Sequence, residues 1–228
     1  MKKFFAAILA LVMAMSLVAC GSNGGNAGDN TASDSSVTLT AIVAGLTEDG
    51  MRHVTNSRGP IVEPSDMKGL KIRTVVSPTQ QATWEAFGAI PMALDMGEVF
   101  TALQNHTVDA QENTLSSITS YKMQEVQSYL SLTYHSYTPM PFFINAAKWD
   151  TLTADQQAAL QKASEEARDY ARELNAQGEE QCLKELEDAG VQIEANPDKE
   201  AFAALCGSVY DIFNDSMGSD EVLTMVQD

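Results

Sequence analysis

Ser65-Asp66-Met67-Lys68-Gly69-Leu70-Lys71-Ile72-Arg73-Thr74-Val75-Val76-Ser77-Pro78 is the stretch on which the fold turns. Its opening, Asp66 to Gly69, has turn chemistry, and the β-branched run that follows reads as a strand. Ser77 then stands as an N-cap, Pro78 as the first helical residue and Gln80 as the third member of a capping box. A turn feeding a strand feeding a helix is the repeating unit of α/β architecture.

Outward from that unit the alternation continues. Gly88 closes the helix, Ala89 to Leu94 is a short apolar strand with Pro91 at an edge, and Asp95 with Glu98 forms a second capping box for a helix to about Gln104. Thr107 to Ala110 reads as a short strand, Leu115 to about Val126 as a helix, and the Tyr- and Phe-rich Ser131 to Ile144 as extended chain. Thr153 and Gln156 form a third capping box, opening a long helix to about Asp188 that Gly190 closes; Ala159, Leu160, Ala163, Ala167, Tyr170, Ala171 and Leu174 follow helical spacing. Val191 to Glu194 is a strand and Asp198 to Phe213 a further helix. Upstream, Val37 to Ala44 alternates as a strand, Gly45 to Gly50 is a loop, and Met51 to Asn56 is a second short strand. The fold class is α/β with an at least partly parallel sheet and no internal repeat.

The N-terminus is different in kind. Met1, Lys2 and Lys3 give a positive start, Phe4 to Val18 is an uncharged apolar run, and Leu17-Val18-Ala19-Cys20 ends it. The run is shorter than the roughly 20 residues a membrane span needs and fits a signal peptide over residues 1–19. The order of segments resembles a bacterial lipobox, which implies a diacylglyceryl group on Cys20. Gly21 to Ser36 has no large apolar side chain, so residues 20–36 read as a lipidated cysteine and a flexible tether.

The chain carries 14 basic and 31 acidic side chains, a net charge of −17. Lys2 and Lys3 fall in the leader, so the remainder has 12 against 31, or −19. Such an acidic surface argues against nucleic acid and against docking on anionic lipid through a basic patch. Cys182 and Cys206 have no metal-type spacing; export leaves a disulfide open to them if their two helices meet, and the favoured reading is two separate buried thiols. His53, His106 and His135 are dispersed, with no zinc-protease spacing, nucleophile elbow or phosphate loop, so no enzyme, cofactor or metal is expected.

Three ordered motifs carry a family resemblance. They are Ser65 to Arg73; Phe87-Gly88-Ala89-Ile90-Pro91 followed by Gly97 to Gln104; and Val108-Asp109-Ala110-Gln111-Glu112-Asn113 followed by Glu125-Val126-Gln127. Arg52, Thr55 and Asn56 upstream, and Trp149 with Leu152 before the long helix, fit the same pattern. From about Val37 onward the chain resembles the DctP family, the solute-binding subunits of TRAP (tripartite ATP-independent periplasmic) transporters. It departs at Ala110 and His106, where the family has or favours glycine, and it joins the tether directly to the Val37 strand. The resemblance implies a periplasmic-binding-protein-like fold with one lobe over residues 37–148. Over 149–228 it implies a long hinge-spanning helix and the C-terminal remainder of an incomplete first lobe.

Arg73 ends a strand just ahead of a helix N-terminus, the place where ligands gather in open α/β sheets. A guanidinium there offers a fork of donors matching a carboxylate, and the following helix's amides add partial positive charge. By resemblance, Arg73 is the carboxylate-gripping arginine, Arg52 a second basic contact, Asn113 the amide that fixes the ligand and Met96 an apolar packing residue. Asn113 also suits a helix cap. Asp109 and Glu112 read as structural partners, and Tyr134, Tyr137, Phe142 and Phe143 as packing aromatics. The function implied is a lipid-anchored, extracytoplasmic binding protein that passes a small organic acid to the membrane subunits of a TRAP transporter. The other reading is a shortened, non-transporting lipoprotein, either a remnant or a partner-binding module.

Overall fold

The computed structural model describes residues 41–218; the leader, Cys20, the tether and the Val37 strand start lie outside the described residues. One six-stranded sheet organises the chain. Its strands are β1 (Ala41–Asn56), β2 (Lys71–Thr74), β3 (Ile90–Ala93), β4 (Ala110–Thr114), β5 (Tyr129–Asn145) and β6 (Gln192–Glu194), in the order β3-β2-β4-β1-β5-β6. β3, β2 and β4 are mutually parallel, as are β5 and β6, and β1 runs antiparallel to both its neighbours. The helices are α1 (Pro78–Ala86), α2 (Met96–Gln104), α3 (Leu115–Ser120), α4 (Ala146–Trp149), α5 (Ala154–Asp188), α6 (Lys199–Ala203) and α7 (Gly207–Met217). The α/β class with a partly parallel sheet is therefore as the sequence implies.

Both faces of the sheet are covered. Ile72, Val54 and Ala110 pack with Trp84 and Phe87 of the α1 segment, Cys206, Phe202 and Tyr210 on one side. Val99, Leu103, Leu115, Ile118, Leu130 and Leu186 form the core on the other. The two cysteines are free and belong to different clusters, Cys206 to the first and Cys182 to the margin of the second. Residues of the 149–228 stretch also reach this sheet and its core. β6 pairs with β5 at Tyr129 to Ser131, and Cys206 and Tyr210 close the core around Ile72.

Local chemistry sets several boundaries as read. Thr153 accepts from the Gln156 amide at 3.3 Å and Gln156 returns a bond to the Thr153 N–H at 2.9 Å, so the capping box of α5 is complete. Ser77 caps α1, while the Gln80 side chain turns instead to the Thr74 hydroxyl at 3.1 Å. Gly88 and Gly190 take the left-handed conformations at φ +84° and +87° that helix ends favour.

Other boundaries are decided by partners. The expected Gly45–Gly50 loop is strand: β1 runs through it, paired with β5 and bulged at Val43/Gly45 and Glu48/Gly50. Gly45 is required there, because a Cβ would stand 2.3 Å from Ser164 Oγ of α5. Asp95 makes no side-chain cap to α2, and only its carbonyl meets the Glu98 N–H, at 3.0 Å. The expected Leu115–Val126 helix stops at Ser120, where hydroxyl side chains compete with the helix and Lys122 turns left-handed. The expected Asp198–Phe213 helix divides into α6 and α7 ahead of Gly207. The expected Thr107–Ala110 strand is displaced onward to Ala110–Thr114.

Candidate ligand-binding site

The displaced strand builds the site. β4 is Ala-Gln-Glu-Asn-Thr, and all five residues are buried. A polar strand flanked by β2 and β1 must find partners for each side chain. Gln111 donates to the Thr55 hydroxyl at 2.8 Å. Thr114 caps α3 through Ser117 N at 3.3 Å and donates to Asp49 Oδ2 at 3.1 Å. Glu112 and Asn113 lie between, on opposite faces of the sheet.

Glu112 is 1% exposed and takes Arg52 in full. Arg52 Nε donates to Glu112 Oε2 at 2.5 Å, and Nη2 donates to Oε1 and to the Glu112 carbonyl, each at 3.0 Å. Nη1 reaches the Thr138 hydroxyl at 3.4 Å. His135 Nε2 lies 3.2 Å from the same Oε2, and its Nδ1 lies 2.8 Å from the Thr133 hydroxyl. Burial alone would raise the Glu112 carboxyl. The charge of Arg52, with hydrogen bonds from His135 and Arg52, outweighs burial and holds it at about 2.

Arg73 is held differently. It is 3% exposed, yet its one side-chain hydrogen bond among the described residues runs from Nε to the Leu94 carbonyl at 2.9 Å. Its two terminal nitrogens have no hydrogen-bond partner, and no carboxylate lies within ion-pair distance, among the described residues. Burial lowers its pKa from the ordinary value, with Glu112 pulling the other way; a guanidinium stays charged regardless. The head group is anchored at the β3–α2 junction rather than ahead of α1. Asn113 stands nearby in the fold: its Oδ1 accepts from Thr114 N at 3.0 Å, and its Nδ2 points at Met96 Sδ, 3.8 Å away. The helix cap is thus Thr114, leaving the Asn113 amide beside Met96 at the start of α2.

Register explains the convergence. Arg73 lies opposite Met92 and Gln111, and Arg52 opposite Thr114. The four expected site residues therefore gather at the carboxyl ends of the parallel strands β2, β3 and β4. Arg73, Asn113 and Met96 present unsatisfied or soft groups there, whereas Arg52 is consumed by Glu112. The dispersed histidines conceal a second link. His53 is fully buried, accepts from Tyr134 N at 3.4 Å and packs edge-on to the Tyr134 ring, with burial pushing its pKa down to about 3. Nothing in the linear spacing signals that His135 would share Glu112 with Arg52. Among the described residues there is no metal-type cluster and no helix long and apolar enough to cross a membrane.

The sequence profile of the family described as bacterial extracellular solute-binding protein, family 7 (DctP), matches residues 25–216. The chain belongs to the DctP family. This DctP chain is 43% identical over 167 residues to the 2,3-diketo-L-gulonate-binding periplasmic protein YiaO of Escherichia coli, covering 73% of this chain and 51% of YiaO. A TRAP periplasmic solute-binding protein of Polaromonas, solved with D-erythronate, superposes with a TM-score of 0.76 at 34% identity, covering 82% of this chain and 61% of that one. A second, from Shewanella oneidensis and solved with succinate, gives a TM-score of 0.72 at 28% identity and covers 82% and 63%. The chain thus spans about half the length of the curated relative and three-fifths of the solved ones. His106, where the family favours glycine, adopts φ +56°, the conformation that explains the preference.

Proposed function

We propose that this DctP chain is an extracytoplasmic binding subunit for a small organic acid. The observation that carries the reading is the buried Arg73 guanidinium, whose terminal nitrogens meet no partner while its neighbour Arg52 is fully engaged. A carboxylate seated on that fork completes a buried pair, and an uncharged analogue leaves the cation alone. Asn113 supplies an amide within the same edge, and Met96 an adaptable apolar contact. Arg52 acts through Glu112, holding β1 against β4 behind the ligand. Family membership supports delivery to the membrane subunits of a TRAP transporter, and the Lys2–Cys20 leader supports attachment by lipid at Cys20. Chemistry on the ligand is not part of this role.

The test is calorimetry of the full chain against a panel of sugar acids and short carboxylic acids, with Arg73→Ala in parallel. Heat and thermal stabilisation that vanish in the variant support the reading. A folded, monodisperse chain that responds to no acid sinks it.

A further inference from the structure

We propose, on the reading of Arg73 as the carboxylate contact, that His53 also touches the ligand, donating from Nε2 to a hydroxyl oxygen of a hydroxy acid. In the antiparallel pairing of β1 with β4, His53 lies directly opposite Asn113, and Thr55 opposite Gln111. Opposite residues share a face, with Cβ atoms about 5 Å apart. The 2.8 Å bond from Gln111 Nε2 to the Thr55 hydroxyl shows this face closing up in that way. Arg73 joins the same face from β2, in register with Gln111, while its neighbour Ile72 packs with Ala110 on the other. Arg73 Nε holds the Leu94 carbonyl at 2.9 Å, and Met96, just beyond, has its Sδ 3.8 Å from Asn113 Nδ2. Arg73, Met96, Asn113 and His53 therefore form one row.

The polarity of His53 is set by its other nitrogen. Nδ1 accepts the Tyr134 N–H at 3.4 Å, so the neutral ring carries its proton on Nε2. Burial first, then the influence of His135, Lys199 and Arg52, keeps the ring neutral at ordinary pH. Nε2 is buried and has no hydrogen-bond partner among the described residues. The two nitrogens of an imidazole point to nearly opposite sides of the ring. Tyr134 belongs to β5, on one side of β1, so Nε2 turns toward the other side, where β4 carries Asn113. A buried donor without an acceptor is costly, and such groups are nearly always satisfied. The same face carries Gln111 Oε1, a buried acceptor without a donor among the described residues. A hydroxyl accepts and donates at once, so it answers both groups. A hydroxy acid anchored at Arg73 supplies one, whereas the unsubstituted acid leaves both groups unpaired, which is how a polar site rejects an analogue.

D-Erythronate and butyrate are the probes: they share a four-carbon acid skeleton and differ only in the hydroxyls. Titrated by calorimetry into the full wild-type chain at neutral pH, D-erythronate should bind at least about tenfold more tightly. His53→Asn keeps an acceptor for the Tyr134 amide but lacks the reach of Nε2. It should weaken D-erythronate about tenfold and leave butyrate within about twofold. His53→Gln, whose amide reaches the Nε2 position, should restore part of the preference. In the wild type, the imidazole nitrogen resonances of His53 should move on saturation with D-erythronate and hold still with butyrate, a readout that needs no variant to fold. A purely structural His53 predicts equal losses for the two acids and resonances indifferent to the hydroxyls, and either result overturns the proposal. Butyrate bound as tightly as D-erythronate by the wild type overturns it as well. So does a folded wild type that binds neither, and the wider acid panel with Arg73→Ala then decides the carboxylate reading separately. Loss of both acids in Arg73→Ala, beside an unchanged preference in His53→Asn, retains that reading and removes His53.

Discussion

Arg52 and Arg73 sit on the same sheet, at the same edge and at similar depth, and do opposite things. Arg52 finds Glu112 across one strand and gives it two side-chain bonds. Arg73 finds a carbonyl and leaves two nitrogens open. The difference lies in the neighbours. β1 is antiparallel to β4, which brings Arg52 beside Glu112 on one face; β2 is parallel to β4, which sets Arg73 opposite Gln111 on the other. A buried ion pair is costly to break and of modest net worth, whereas a cation with open nitrogens keeps its charge available to an incoming anion. One arrangement ties two strands together, and the other leaves a cation available.

The comparison is broken most forcefully at Arg52. Arg52→Ala leaves Glu112 buried without its cation and should destabilise the chain by about 3–5 kcal/mol in urea unfolding. A loss under 1 kcal/mol would mean that water already compensates Glu112. Acid probes the same pair. The Glu112 carboxyl is depressed from its ordinary 4.5 to about 2, so its contribution is complete above about pH 4.5 and disappears as pH falls towards 2. It amounts to about 3 kcal/mol, and Arg52→Met should lack most of this component. His53 adds to acid sensitivity with the same sign at higher pH. Held neutral with a pKa of about 3, it makes stability fall below pH 6.5 by about 1.4 kcal/mol per unit, a slope that His53→Leu should flatten.

Arg73 should behave in the reverse manner. Arg73→Met should leave unliganded stability unchanged or raise it by about 1 kcal/mol, while weakening carboxylate binding about a hundredfold, or about 2.7 kcal/mol. Equal destabilisation by Arg52→Met and Arg73→Met would erase the distinction. The smallest effect serves as a reference outside both regions. Thr153→Ala removes the α5 capping box and should cost about 1 kcal/mol of stability with no change in ligand affinity.

Much of the frame was legible because it is written in local chemistry. Ser77, Thr153, Gly88 and Gly190 mark helix ends through contacts made within a few residues, and the structure keeps all four. β4 begins three residues beyond the expected strand, and its sequence, Ala-Gln-Glu-Asn-Thr, has neither the alternation nor the apolar content that marks a strand. Its burial makes sense only once Thr55, Arg52, Asp49 and Ser117 supply partners. Gly45 to Gly50 read as a loop for the same reason. Glycine there serves a bulge and the close approach of Ser164, and neither is visible without β5 and α5. The motifs point to Arg52, Arg73, Met96 and Asn113 as a set, but spacing along the chain does not distinguish the arginine that meets Glu112 from the one that meets a carbonyl.

By itself, then, the sequence determined the α/β alternation, the helix ends, the family and the edge of the sheet where polar groups would gather, since caps, periodicity and ordered motifs act over short spans of chain. Tertiary structure alone decided that His135 and Arg52 converge on Glu112 while Arg73 is left with a carbonyl. Whether a charge is spent or available depends on which strands are neighbours and which way they run, and that is settled by packing rather than by spacing along the chain.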